Sequence, residues 1–268
     1  MIGRLKRYAE TVRDSLRYEG LAILSWRILV KLLSPVAQVD HQILFDMDLT
    51  QTIAERPARV DCTIEPATEA DIERIVDGRI PLLPVVNDSE LSDSQEYARA
   101  VLERERAELR QRFAGKALSW LRGGEMCFVA RIGSTIAHSN WIQFHGSETA
   151  GERPIHLMPG EVYMTEGFTA ERWRGNGIHE AVNSTMLRYA KSHGCKRAYT
   201  ITDLTKARAR RGVIRVGWRW RGHHLFISSR WLGRTWIVPL AGDTEPVLRD
   251  SVLQAGSSAE SAEGESQR

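Results

Sequence analysis

The spacing of apolar residues changes period along the chain, and each change marks an element. Residues 1–35 read as one or two basic amphipathic helices, broken at Gly20 and stopped at Ser34-Pro35, with Leu21, Leu24, Ile28 and Leu32 as one apolar stripe. Residues 41–49 read either as a strand or as an extended connector, and residues 61–65 as the first strand of the following domain. Thr68 caps a helix whose first turn carries Glu69 and Asp71. Two prolines within residues 81–84 break that helix, and residues 87–94 form a polar loop. Residues 98–121 make a long helix laced with Glu and Arg, its charges read as a solvated face. Gly123-Gly124 then turns the chain into residues 126–132 and 135–144, a hairpin about Gly133-Ser134.

The most informative pattern follows. Glu161-Val-Tyr163-Met-Thr reads as a strand, and the residues from Ala181 to Ala190 recur at helical spacing until His193-Gly194. Between them runs Glu166-Gly-Phe-Thr-Ala-Glu-Arg172-Trp-Arg-Gly175-Asn-Gly177-Ile-His179. A strand therefore feeds a tight glycine loop, and the loop opens a helix whose first N–H groups suit a phosphate or pyrophosphate. Glu180 stands where a dinucleotide fingerprint wants a third glycine, and no Gly-Lys-Ser/Thr ending is present, so Rossmann and P-loop readings are disfavoured. A structural turn accounts for six such residues as well.

Arg172-x-x-Gly175-x-Gly177 in this setting resembles the acetyl-CoA-binding motif of the GNAT superfamily of N-acetyltransferases; Arg174-x-x-Gly177-x-His179 is a second register. A second strand at residues 196–202, a basic helix from Lys206 to Arg215 and the turn Gly217-Trp218 resemble the family's continuation. The likeness covers about residues 61–240 and is specific across 166–218. It implies an α+β fold, with a mixed, mostly antiparallel central sheet flanked by helices. Three parts follow: a helical extension and connector (1–60), an acyltransferase domain (61–240) closed by strands at 220–227 and 234–240, and an acidic tail (241–268) that from about Ala255 lacks the apolar residues to fold. It also implies acetyl-CoA as cofactor and direct attack of an amine on its thioester. The backbone of Phe168 and Thr169 would meet the pantetheine arm. Arg172, Arg174, Gly175, Asn176, Gly177, Ile178 and His179 would meet the pyrophosphate, mostly through amides.

Composition narrows the setting. The chain has 268 residues and a net charge of +3, but its last 28 hold six acidic and two basic residues, which leaves the rest near +7. Cys62, Cys127 and Cys195 are scattered, odd in number and without CxxC spacing, so no disulfide framework or metal site is expected and a reducing cytoplasm fits. Arg27 and Lys31 interrupt the apolar run at 21–38, which argues against a membrane span. The stripe at 1–35 packs on the body, packs on a second subunit in a homodimer, or lies on a membrane surface, the first two readings being favoured.

The chemistry needs a base, a polarised carbonyl and an acid for the leaving thiolate. Glu166, on the central strand, is the first candidate base, with a surface carboxylate paired to a basic residue as its bland equivalent. Tyr163, Glu161 and His156 stand nearby in sequence. Strand alternation places Glu166 with Met164 on one face, and Tyr163 with Thr165 on the other. The chain departs from the family where many members carry the acid tyrosine: Val213 stands there, and Tyr199 does not match the position. His179 reads as a capping or loop-packing residue more readily than as a catalyst. The basic residues from Lys206 to Arg221 suit a CoA 3′-phosphate and an acidic acceptor; nucleic acid ranks low, because no stacking or recognition-helix pattern accompanies the charge. Trp218, Trp220, Trp231 and Trp236 read as core and hairpin packing. The acceptor is then a small amine or amino sugar. A non-catalytic acyl-CoA-binding scaffold, and a membrane-surface transferase on a lipid-linked substrate, are the alternatives.

Overall fold

A computed structural model describes residues 21–79, 93–145, 155–229, 231, 234–242 and 253–254. The readings of residues 1–20, 81–92, the loop at 146–154 and the tail after Gln254 lie outside them. The fold is α+β, with mostly antiparallel strands flanked by helices. The chain divides into two compact units, one of Met1–Thr50, His145–Tyr163 and Cys195–Arg268, the other of Gln51–Phe144 and Met164–Gly194.

The first unit holds α1 (Leu21–Leu33), β1 (Ala37–Asp48), the opening residues of β5 (Glu161–Thr169), β6 (Arg197–Asp203), α5 (Ala207–Val216), β7 (Arg219–Ser229), β8 (Arg234–Gly242) and β9 (Leu253–Gln254). Residues 41–49, left open between strand and connector, fall almost wholly within β1, which runs antiparallel between β6 and β7. Gln42 faces Asp203 on one side and His224 on the other. Its middle, Gln42–Asp46, is buried throughout, which explains an apolar run that alternates poorly: the strand is covered on both faces. Leu44, Tyr163, Tyr199, Phe226 and Ile237 form the core here, together with Ile155. The turn after α5 needs its glycine, since Gly217 sits at φ +109° and the next residue, Trp218, is buried.

One expectation fails in this unit: Trp218 is core, but Trp231 is 83% exposed, and Trp220, 50% exposed, has only one face against a neighbour, its ring tilted on that of His223 at 5.7 Å. Of the α1 stripe, Ile28 and Leu32 are 54% and 72% exposed, while Trp26 of the same helix stands edge-on to His41 of β1.

The second unit holds β2 (Thr63–Pro66), a 3₁₀ turn (Glu69–Asp71), α2 (Ile72–Arg79), α3 (Asp93–Arg122), β3 (Met126–Ile132), β4 (Thr135–Gln143), the remainder of β5, and α4 (Ile178–Ser192). β2, β3 and β4 pair in order, and the β3–β4 hairpin turns where Gly133 takes φ +57°. Thr68 caps the 3₁₀ turn as expected, its amide and hydroxyl both donating to Asp71. One sheet face, with Cys127, Val129 and Trp141, meets Ile72, Ile75 and Val76 of α2 and Ala117 of α3. The opposite face meets α4, where Phe128 stands edge-on to Tyr189.

Candidate functional site

The expected strand–loop–helix is present, and each part has a local cause. β5 ends at Thr169, a 3₁₀ turn spans Glu171–Trp173, and α4 begins at Ile178. Gly175 (φ +85°) and Gly177 (φ +72°) are left-handed, a conformation that L side chains adopt at a penalty. A Cβ at Gly175 would have no atom within 4 Å, so the loop is open on that side. Ile178 is buried and anchors the helix start. The Ala181 amide closes the first helical bond onto the Gly177 carbonyl, so the amides ahead of it have no partner within the helix.

The side chains of the loop hold its shape. Arg174 donates to the Thr169 carbonyl at 3.2 Å and stands 3.7 Å from Glu171. Asn176 donates to the Trp173 carbonyl, and the Arg172 guanidinium lies over the Trp173 ring. Left-handed glycines, first-turn amides and flanking guanidiniums are a donor set that fits a pyrophosphate.

Glu166 lies at φ +57°, alone among the described non-glycine residues in having left-handed backbone. Glu166 reaches Lys116 of α3, Nζ to Oε1 3.7 Å, whereas the adjoining Gly167 lies against the α4 side, where a Cβ would come within 3.4 Å of Asn140 and His179. Lys116 also stands 4.4 Å from the Trp120 ring. Glu166 is thus a carboxylate on a strained backbone, next to a cation and half exposed.

Beneath β5, on the α4 side, lies a polar layer that the sequence reading missed. His138, fully buried, bonds to the Thr169 hydroxyl at 2.7 Å and stands edge-on to His179. Asn183 donates to the His179 carbonyl at 2.9 Å and rests against its ring. His179 is thereby a packing residue of the helix start. The available signal was His138-Ser-Asn140, three polar residues inside an apolar strand.

The remaining candidates belong to the first unit. Tyr163 is a core residue, 6% exposed. Tyr199 is fully buried and donates to Glu161 at 2.9 Å; burial first, then that carboxylate, push its phenol above the ordinary range. Such a phenol is a structural donor. Val213 is buried in α5. Glu161 is held on both oxygens, by Tyr199 and by the Met158 amide. Histidines crowd the β1–β7 ladder: His41 and His223 share a 3.0 Å hydrogen bond, and burial lowers both. Buried His224 is pushed down to about 4 by burial and by the two neighbouring histidines. Among the described residues no group of three His, Cys, Asp or Glu is disposed to hold a metal, and no helix is long and apolar enough to cross a membrane.

No protein-family model and no curated protein matches the chain. Solved structures do. A functionally unknown conserved protein from Staphylococcus epidermidis is 13% identical, with 75% of this chain and 65% of that one covered, at a TM-score of 0.44. An acetyltransferase from the GNAT family of Colwellia psychrerythraea is 12% identical over 81% and 62%, at 0.45. A predicted acetyltransferase from Clostridium acetobutylicum, solved with acetyl-CoA, is 14% identical over 59% and 90%, at 0.39. The chain spans less than two thirds of the length of the first two. Likenesses at these scores add nothing to the reading of the site, which stands on the chain's own residues. The chain's own residues place a left-handed Arg172-x-x-Gly175-x-Gly177 loop between a kinked strand and a helix inside a mostly antiparallel α+β fold.

Proposed function

We propose that the protein is an acyl-CoA-dependent N-acyltransferase that moves an acetyl group to the amine of a small acceptor. The observation that carries this reading is the pairing, on one strand, of the strained Glu166 with the open glycine loop that follows it. When bound, the cofactor supplies an activated acyl thioester. The amides from Arg174 to His179, with the guanidiniums of Arg172 and Arg174, hold its pyrophosphate, and the backbone of Phe168 and Thr169 lines its arm. Glu166 takes the proton from the acceptor amine, directly or through water, while Lys116 keeps its carboxylate aimed. The basic face of α5 favours an acidic acceptor or an amino sugar carrying phosphate or carboxylate. With three free thiols the protein suits a reducing cytoplasm.

Thermal unfolding with CoA and acetyl-CoA tests the cofactor. A ligand that binds only the native state at a hundred times its Kd adds about 2.7 kcal/mol, a clear rise in midpoint. Thiol release with a panel of amines then tests transfer. Absence of any shift at millimolar ligand sinks the reading.

Two other readings have an observation each. Buried Val213 at the acid position favours a non-catalytic acyl-CoA-binding scaffold, for which cofactor saturates but no amine releases thiol. The exposed Ile28, Leu29, Leu32 and Leu33 beside Lys31 favour contact of α1 with a membrane surface, or with a second copy. Sedimentation with anionic vesicles removes the membrane reading if the protein stays in the supernatant.

A further inference from the structure

Exposed apolar side chains are gathered in one part of the first unit. Of the twelve large ones among the described residues, ten lie on α1 and the turn after it, on α5 and on the β7–β8 hairpin. The sheet register puts several of them on a common face. Trp26 of α1 stands edge-on to His41 of β1, which places the helix over that side of the sheet. Across the ladder His41 pairs with Leu225 of β7, and Leu225 with Val238 of β8, so exposed Val238 points the same way. His223 shares a hydrogen bond with His41 and lies against the ring of exposed Trp220. Arg210 of α5 is near enough to both histidines to lower their pKa, and exposed Ile214 follows it by one turn. α1 itself keeps Trp26 and Val30 half-buried and turns Ile28, Leu29 and Leu32 outward.

The same segments carry charge of one sign. Residues 21–36 and 204–242 contain eleven Lys and Arg and no Asp or Glu. Lys31 is exposed between Leu29 and Leu32, and Arg208 and Arg211 are exposed on α5, Arg211 one turn from Ile214. Aliphatic groups, indoles and cations on one face narrow the partner. A second copy would set two basic faces against each other, which like charges oppose. A nucleic acid would meet the cations with phosphate but leave Ile28, Leu29 and Leu32 against a polar backbone. An anionic lipid surface meets every component. The aliphatic stripe enters the acyl boundary, the indoles sit at headgroup level, and the Lys and Arg meet the anionic headgroups.

We propose that this face, built from α1, α5 and the β7–β8 hairpin, docks on a membrane surface rich in anionic lipid. The α1 stripe alone fits a second copy as well; the wider basic face selects the lipid. The docking is independent of the acyl-CoA reading, since neither Glu166 nor any residue of the glycine loop belongs to these elements.

The test is sedimentation of the full chain with vesicles of phosphatidylcholine alone and of phosphatidylcholine mixed with phosphatidylglycerol. The wild type should pellet with the mixed vesicles and stay in the supernatant with the neutral ones. Arg208→Gln/Arg211→Gln should weaken partitioning about 25-fold, each cation near an anionic surface contributing about fivefold. The same variant should flatten the dependence on salt. Leu29→Ser/Leu32→Ser should no longer pellet, whereas Leu29→Phe/Leu32→Phe should. All three variants should keep the wild-type thermal midpoint, which shows that they are folded. The proposal is overturned if the wild type stays in the supernatant with both vesicles. It is overturned equally if the serine variant pellets like the wild type, because the contact is then electrostatic alone. Retention of duplex DNA by both proteins without vesicle binding would assign the face to nucleic acid. A wild-type dimer that the serine substitutions dissociate, again without vesicle binding, would assign it to a second copy. Pelleting of the wild type with no CoA-induced rise in midpoint would sink the acyl-CoA reading and support this one.

Discussion

Lys116 Nζ stands 3.7 Å from Glu166 Oε1, and Glu166 makes that contact from a left-handed backbone. A non-glycine residue in this region stores about 1–3 kcal/mol, which the surrounding structure must hold in place. Glu166→Gly should therefore unfold at higher urea than Glu166→Ala, by about 1 kcal/mol, because alanine keeps the strain and glycine releases it. Both should lose transfer activity, by about 10²-fold or more if Glu166 is the base. Equal midpoints for the two variants would show that the kink is unstrained.

Gly175→Asp should abolish CoA binding by calorimetry. The position is left-handed and open, so aspartate introduces both a strained backbone and a negative charge where an anion is to sit. Asn176→Ala loses only the bond to the Trp173 carbonyl, about 1 kcal/mol, and should keep affinity within a few-fold.

Tyr199→Phe should lower stability by about 1–2 kcal/mol, since it removes a buried donor from the Glu161 carboxylate. The rate of thiol release should not change. A large fall in rate with unchanged CoA affinity would instead make Tyr199 the missing acid.

The β1–β7 histidines predict acid lability. His224 has a folded pKa of about 4 against an ordinary 6.5, and His41 and His223 shift in the same direction. Below pH 6.5 the unfolded chain binds protons that the folded chain refuses, so stability is full above that pH and declines as pH falls toward 4. His224 alone accounts for up to about 3 kcal/mol of the decline. Urea unfolding at pH 7.5, 6 and 5 measures the slope, which His224→Gln should flatten; an unchanged slope would place the lability elsewhere.

What the sequence determined by itself was local. The β3–β4 hairpin and α4 follow from short-range periodicity, and the glycine loop follows from the left-handed positions that only glycine fills cheaply. The turn at Gly217-Trp218 was legible for the same reason. Tertiary structure decided what depends on partners distant in sequence. Residues 42–46 are buried inside a strand paired on both edges; the pattern alone could not tell such a strand from a connector. Lys116 looked like one more solvated charge on a long helix, and it meets Glu166 only because α3 crosses that sheet face. The segment at 51–59 carries no periodicity, since its bonds go to a helix more than a hundred residues later. Glu166 shows both limits at once: the sequence placed it on the central strand, but its direction was set by a backbone kink that only the packing around it can impose.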